Sequence, residues 1–253
     1  MTISELENTE KSIQNLIAQQ YKRDIDKGIL NPKEIEPVAD GIFNISEYHN
    51  AEYKILWILQ EPYDSDGGGW HMSERVDKAI EEGKFSRDWR TWEKLVYVSW
   101  SILNYNKDNV LRYSLKRWEE MPDYGNHPEM LKILRKIAYA NVKKLPNINS
   151  TNRNYEEIRN AYEQNREILR MQIIDYKPQI IIGGSTLNFF YQDLDISDNM
   201  IIKPEGKCVH YSIKDNKIFV DAYHPAYRGV ARKNYCDDIL FAVEEWMNQN
   251  RGK

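Results

Sequence analysis

The sequence predicts a three-layer α/β/α protein, in which helices cover both faces of a central, mainly parallel sheet of four strands. Short apolar runs predict the strands, and they lie at residues 53–59, 137–142, 179–182 and 217–222. These runs do not alternate between apolar and polar residues, which is typical of strands that are buried on both faces. Helical patterns lie between the runs, and this alternation of strands and helices favours a layered α/β domain.

The helices follow in order along the chain. Residues 1 to about 45 predict a polar helix and a connector, and the apolar positions at helical spacing are Ile13, Leu16, Ile17 and Tyr21. Further helices are predicted at residues 89–103, 128–136, 155–176 and 237–248. The helix at 155–176 is the best defined, because Pro178 follows it as a stop signal. We predict an N-terminal helical extension over residues 1–48, packed on an α/β domain over residues 49–253.

Composition limits the compartment and the class of protein. Two cysteines cannot form a disulfide framework or supply the four thiolates of a standard iron–sulfur cluster. The N-terminus is acidic and lacks the layout of a signal peptide, and no apolar run approaches the roughly 20 residues of a membrane span. We therefore expect a cytoplasmic protein that does not act on membranes. The net charge of −4 gives no overall sign of a nucleic-acid binder, although a local basic patch can suffice.

Ligands of parallel α/β sheets bind beyond the carboxyl ends of the strands, so the residues after each apolar run are candidates for function. The first run is followed by Gln60-Glu61-Pro62-Tyr63 and then by a Gly-rich loop that ends at Trp70. A Glu at this position can orient or activate water, because it is ionised at neutral pH. The alternative for this segment alone is an ordinary turn with a solvated Glu.

The second run ends in polar and basic residues, and the third ends in a Gly-rich turn. Asn141 lies inside the second run, where an unbonded amide costs on the order of 1–3 kcal/mol. Its amide therefore bonds either the edge of a base or the neighbouring backbone. Lys143 and Lys144 follow it. The third run ends at residues 183–186 (GGST), which we interpret as a close structural turn, since it lacks the Lys of a P-loop.

The fourth run is followed by His224. A His at a strand end can donate a hydrogen bond to negative charge that develops on a leaving group. Beyond it lie one aromatic ring and three cations, a set suited to a phosphate backbone: Tyr227, Arg228, Arg232 and Lys233. The alternative is a structural His-Pro turn with a solvated basic tail.

Read in order, these segments resemble the uracil-DNA glycosylase superfamily over roughly residues 50 to 235. The resemblance is specific at three places: LQEPY at 59–63, the stretch from IAYANVKKLP to QIIIGG at 137–184, and HPAYR at 224–228. It implies an enzyme that flips a pyrimidine nucleotide out of DNA and hydrolyses the bond between base and sugar. The family chemistry needs no metal or cofactor, and we expect a monomer.

The resemblance gives the matching residues their roles. Glu61 falls on the position that orients water, Asn141 on the residue that reads the base edge, and His224 on the group that stabilises the anionic leaving base. The expected substrate-binding set is completed by Gln60, Tyr63 and Trp70. The expected DNA-binding set is Lys143, Lys144, Tyr227, Arg228, Arg232 and Lys233.

The chain departs from the family pattern at several positions, with Glu61 in place of Asp and Ala226 in place of Ser. A longer Glu displaces its carboxylate, and a misplacement of ~1 Å can cost ~100-fold in rate. If Tyr63 walls off the C5 position of the pyrimidine, uracil is favoured as the substrate. If the unusual loops reshape that wall, a modified cytosine or another altered base fits, and repair and defence against phage with modified DNA both stay open. The Trp-rich stretch at 70–100 matches no family pattern.

Two other functions fit the same residues. The first is a DNA-binding module of the same fold with weakened catalysis, which the change from Asp to Glu favours. The second is a different α/β hydrolase that acts on nucleotides, with an acid–base or metal group formed by Glu61, Asp64, Asp66 and His71.

Overall fold

The computed structural model describes residues 1–85, 89–105, 113–148 and 154–250. A single sheet forms its centre, with the strands β1 (Gly41–Ile42), β2 (Ile55–Leu59), β3 (Ala138–Asn141), β4 (Ile180–Gly184), β5 (His210–Lys214) and β6 (Lys217–Ala222). The strands lie in the order β1-β3-β2-β4-β6-β5. The predicted mixed α/β class is confirmed.

The predicted number of four strands is wrong, because two further strands extend the sheet to six. The four predicted runs form β2, β3, β4 and β6 in chain order. These strands pair in parallel and lie side by side in the order β3-β2-β4-β6. At the edges, β1 pairs with β3 and β5 pairs with β6, both in antiparallel fashion. Neither edge strand has a sequence pattern that predicts a strand. The first has only two residues, and the second (HYSIK) carries polar residues at exposed and half-buried positions.

The α-helices are α1 (Ile3–Asp26), α2 (Ile45–Asn50), α3 (Met72–Glu82), α4 (Trp89–Leu103), α5 (Tyr155–Asp175) and α6 (Arg232–Gln249). Short 3₁₀ helices lie at Trp118–Glu120, Leu187–Phe189 and Asp198–Met200. The predicted helix at 128–136 is a 3₁₀ helix with the same bounds, and its buried residues lie three apart, the spacing that this tighter helix aligns on one face. In the described ranges, no helix is both long and apolar enough to cross a membrane.

Helices pack on both faces of the sheet, and successive residues of each strand face opposite sides. Ile55, Trp57 and Leu59 of β2 pack in one cluster with residues of α3, α4 and α6. Leu56 and Ile58 pack in a second cluster with residues of α1 and α5. Every residue of β2 is buried, which explains why its sequence does not alternate.

The N-terminal segment shares this core. Leu6 and Ile13 of α1 are fully buried, and α1 packs along α5. A capping box at Thr2 and Glu5 starts the helix. Residues 41–42 enter the sheet itself as β1. The predicted domain boundary at residue 48 stays a prediction.

A hydrogen bond to Glu10 of α1 connects β1 to this helix. The Glu10 carboxylate accepts a hydrogen bond from the backbone N–H of Ile42 at 2.5 Å. Gly41 lies against the same carboxylate with a φ of +147°, and a Cβ there would meet it at 2.5 Å. Burial raises the pKa of Glu10 to about 7.

We expect the free energy of unfolding to fall as the pH rises from about 5 to about 8, because Glu10 binds more protons in the folded state than in the unfolded state over that range. Glu10→Gln keeps an acceptor for Ile42 but cannot ionise. Its free energy of unfolding should therefore vary less across this range, by about 1–3 kcal/mol. Urea denaturation at both pH values measures the difference, and an equal pH dependence in the two proteins would contradict the role of Glu10.

Candidate active site

A cavity of about 610 Å³ opens at the carboxyl edge of the sheet. The chain passes from β2 to β3 on one side and then crosses β2 to reach β4 on the other. Ligands of open parallel sheets bind at such a topological switch point. Predicted residues from two strand ends line this cavity directly, together with the end of the Gly-rich loop: Gln60, Glu61, Tyr63, Trp70, His224 and Arg228.

Asn141 does not line the cavity itself, but it lies next to two residues that do. It ends β3 beside Leu59 and accepts a hydrogen bond from the hydroxyl of Tyr139 at 3.2 Å, and both of these neighbours line the cavity. Asn141 is fully buried, and its Nδ2 has no hydrogen-bond partner among the described residues. An unbonded buried donor costs about 1–3 kcal/mol, so this amide favours a ligand that brings an acceptor.

The buried carboxylate of Asp40 holds the strand end that carries Asn141. It accepts hydrogen bonds from the backbone N–H of Asn141 at 2.6 Å, from Lys144 Nζ at 2.8 and 2.9 Å, and from Gln172 Nε2 at 2.8 Å. Burial lowers the pKa of Lys144, and the charge of Asp40 opposes that effect. Lys144 is only 4% exposed, so it cannot reach a DNA phosphate. The predicted DNA contact of Lys144 is therefore wrong.

The carboxylate of Glu61 is held by two donors. Lys143 Nζ lies 3.2 Å from its Oε2, and Asn147 Nδ2 donates to its Oε1 at 3.2 Å. Lys143 also forms an ion pair with Glu157 on α5. Lys143 thus pairs with two carboxylates, and the first of these contacts holds Glu61. Its predicted contact with DNA stays a prediction.

His224 is oriented by its own turn and by the end of β4. Its Nδ1 accepts a hydrogen bond from the backbone N–H of Ala226 at 3.2 Å. This bond places the ring proton on Nε2, which makes Nε2 a donor. The backbone N–H of His224 donates to Ser185 Oγ at 2.9 Å, and Gln60 Nε2 donates to the carbonyl of Ser185 at 3.3 Å. The turn at 183–186 therefore positions two residues of the site.

Gly184 lets these strand ends approach one another. A Cβ at this position would meet Leu59 Cδ2 at 2.4 Å and Pro225 Cδ at 3.0 Å. Any larger residue would push apart the ends of β2 and β6, which carry Gln60 and His224.

Lys94 of α4 supports the same turn, and the sequence reasoning missed it. Its Nζ donates to the backbone carbonyls of Pro225 and Tyr227, at 3.4 Å for the second, and lies 4.7 Å from the centre of the Tyr235 ring. Burial lowers the pKa of this ammonium. The available signal was a Lys among apolar neighbours in a helix, which is rare unless the charge has partners.

Two Trp–Arg pairs form one wall of the cavity. The guanidinium of Arg75 lies 5.6 Å from the centre of the Trp70 ring, and that of Arg90 lies 5.3 Å from the Trp89 ring. All four residues line the cavity. Trp92 also lines the cavity, but it is buried and stacks on Phe85 with 4.8 Å between ring centres. The Trp-rich stretch thus serves both the wall and the core.

The other predicted DNA contacts lie around the mouth. Arg228 is exposed, and the ring of Tyr227 stacks on Tyr223 with 4.8 Å between ring centres. Arg232 pairs with Glu93, and Lys233 pairs with Glu119. Both of the paired cations stay about half exposed, which leaves each of them accessible to a phosphate.

Two residues of the alternative nucleotide hydrolase, Asp64 and His71, make contacts that shape the local backbone. Burial alone would raise the pKa of Asp64, but hydrogen bonds from Trp70 Nε1 at 2.7 Å and from the backbone of Asp66 and Gly68 lower it. Asp64 therefore shapes the Gly-rich loop. His71 caps α3. Within the described ranges, no three His, Cys, Asp or Glu side chains are arranged to hold a metal ion.

Comparison with models of known protein families finds no match to this chain, and comparison with curated protein sequences finds none either.

We expect Asp40→Ala to destabilise the protein by about 3–5 kcal/mol, because it leaves the ammonium of Lys144 buried without its counterion. The matched control is Asp26→Ala, which removes an exposed ion pair with Lys22 and should change stability little. Urea denaturation compares the two variants, and equal losses would show that the Asp40 network is not a major constraint.

Proposed function

We propose that this protein is a DNA glycosylase of the uracil-DNA glycosylase type, which hydrolyses the N-glycosidic bond of an altered pyrimidine. The observation that carries the proposal is that Glu61 and His224, which follow β2 and β6, line one cavity, while Asn141 lies buried at the end of β3 beside residues of that lining. Three sequence motifs that resemble the superfamily occur at these same strand ends. Helices on both faces of the sheet also suit the three-layer arrangement implied by that resemblance.

Base recognition is assigned to Asn141. Its Nδ2 is a buried donor with no hydrogen-bond partner among the described residues, so a base that reaches it with an acceptor would satisfy it. Bringing the base there requires flipping the nucleotide out of its stack, which costs a few kcal/mol and less for a base that is already unpaired.

Bond cleavage is assigned to His224 and Glu61. As the bond between C1′ and the base nitrogen breaks, its electron pair goes to the base, and the Nε2–H of His224 donates to the oxygen that gains the charge. The Glu61 carboxylate stabilises the cation-like sugar and orients the water that attacks C1′, and it accepts the proton that this water loses as the new C1′–O bond forms. The two donors that hold Glu61 fix the direction of its longer side chain.

The substrate class includes uracil and modified cytosines. Tyr63 is 43% exposed, which indicates a ring at the rim of the cavity instead of a closed wall at the C5 position. A pocket without that wall admits a larger C5 group. We further propose that the protein acts as a cytoplasmic monomer on DNA, in base-excision repair or in defence against phage with modified DNA.

One observation favours a second candidate, a DNA-binding module with weakened catalysis. Each oxygen of the Glu61 carboxylate already accepts a hydrogen bond from a protein donor. If these bonds prevent the approach of water, the site would recognise an altered base without releasing it.

Base release from oligonucleotides tests the proposal. Single- and double-stranded oligonucleotides that carry uracil, hypoxanthine or a modified cytosine are incubated with the protein, and alkali cleavage reveals abasic sites. We expect Glu61→Gln and His224→Ala to slow base release by about 100-fold or more while oligonucleotide affinity is kept. Glu157→Gln is the matched control, since Glu157 also pairs with Lys143 but does not line the cavity.

The two candidates give different outcomes. Binding of an altered base by the unaltered protein without any base release would support the binding module. Base release that survives in both Glu61→Gln and His224→Ala would refute the assigned roles.

A further inference from the structure

The exposed aromatic side chains of the described residues all lie at the carboxyl edge of the sheet. They are Tyr63, Trp89, Tyr155, Tyr223 and Tyr227, which we call the aromatic edge. The first two line the cavity of the proposed active site. Tyr155 and Tyr223 line a second cavity of about 320 Å³, and Tyr227 stacks on Tyr223. Exposed apolar surface that is gathered in one place marks an interaction site.

The two cavities adjoin one another. Gln60 lines both of them, and it is hydrogen-bonded to Ser185, which lines the second. The aromatic edge is therefore continuous with the proposed active site on both sides of Gln60.

The charge at the first cavity suits a polyanion, although the whole chain carries a net charge of −4. Arg75, Arg90 and Arg228 line this cavity, and the single carboxylate in its lining, Glu61, is already paired with Lys143. Arg228 is exposed and has no ion-pair partner within the described ranges. The local excess of positive charge is complementary to phosphate groups.

The first cavity also exceeds the size of one base. A cavity of about 150 Å³ holds a single six-membered ring. The cavity here has about 610 Å³, so a flipped base leaves room for part of a neighbouring nucleotide.

We propose that the aromatic edge binds single-stranded DNA, with bases on either side of the excised one stacked on Trp89 and on the pair formed by Tyr223 and Tyr227. This inference rests on the proposed function and names its substrate as single-stranded. Proteins that bind single strands combine a cationic groove with aromatic rings on which successive bases stack. In a duplex the faces of the bases are already stacked on one another, so they are not available to stack on these exposed rings.

Fluorescence anisotropy tests this inference with a labelled oligonucleotide of about 15 nucleotides that carries no altered base, used as a single strand and as a blunt duplex. We expect the single strand to bind more tightly than the duplex. Trp89→Ala and Tyr227→Ala should each weaken single-strand binding by about 5- to 100-fold. Trp89→Phe and Tyr227→Phe keep an aromatic face and should retain most of the affinity.

Ile174→Ala is the control, because Ile174 is 53% exposed on α5 and lies outside both cavities of the aromatic edge. Equal or tighter binding of the duplex would overturn the inference, as would unchanged affinity in both alanine variants. The readout is binding of unaltered DNA. A protein that binds the single strand in this way but releases no base would therefore refute the proposed glycosylase activity and leave the single-strand inference standing.

Discussion

The buried carboxylate of Asp40 is the constraint on which the site depends most. Its partners come from the end of β3, from the loop that follows it and from α5: Asn141, Lys144 and Gln172. A buried charge is tolerated only when its hydrogen bonds and its counterion are in place. The N-terminal segment, the central sheet and α5 therefore fold around one point, and that point sets the position of the Asn141 amide, to which we assign base recognition.

The same network explains how a chain with a net negative charge presents a positive mouth. Lys144 forms an ion pair with Asp40 in the core, and Lys143 forms ion pairs with Glu61 and Glu157. The carboxylates therefore offset the charges of both lysines. The arginines that line the cavity supply the positive charge there. Two of these arginines, Arg75 and Arg90, lie over Trp rings, a contact that attracts the cation without neutralising its charge. The charge at the mouth of the cavity therefore depends on which Lys and Arg side chains the fold places there. It depends little on the net charge of the whole chain.

The sequence predicts the parallel strands well because a strand buried on both faces leaves a continuous apolar run, as at residues 55–59. It predicts the location of the site because parallel strands bring their carboxyl ends together. It cannot predict contacts between residues that are far apart in the chain. Examples are the hydrogen bond between His224 and Ser185 and the one from Lys94 to the backbone of Pro225. The predicted DNA contact of Lys144 is wrong for this reason. A Lys that follows a strand has the same sequence pattern whether its side chain faces solvent or a buried carboxylate such as Asp40.

The Glu at position 61 is the sharpest departure from the pattern of the superfamily that the sequence resembles, and its contacts decide whether the longer side chain can take the proposed role. A carboxylate has about four lone-pair sites on two oxygens. Lys143 and Asn147 each occupy one site, on different oxygens, so each oxygen keeps one site that can accept a hydrogen bond from water. The two bonds also fix the carboxylate from two directions, which removes the freedom that an added methylene would introduce. The position of the Glu61 carboxylate is then set by its two donors as much as by the backbone that carries it.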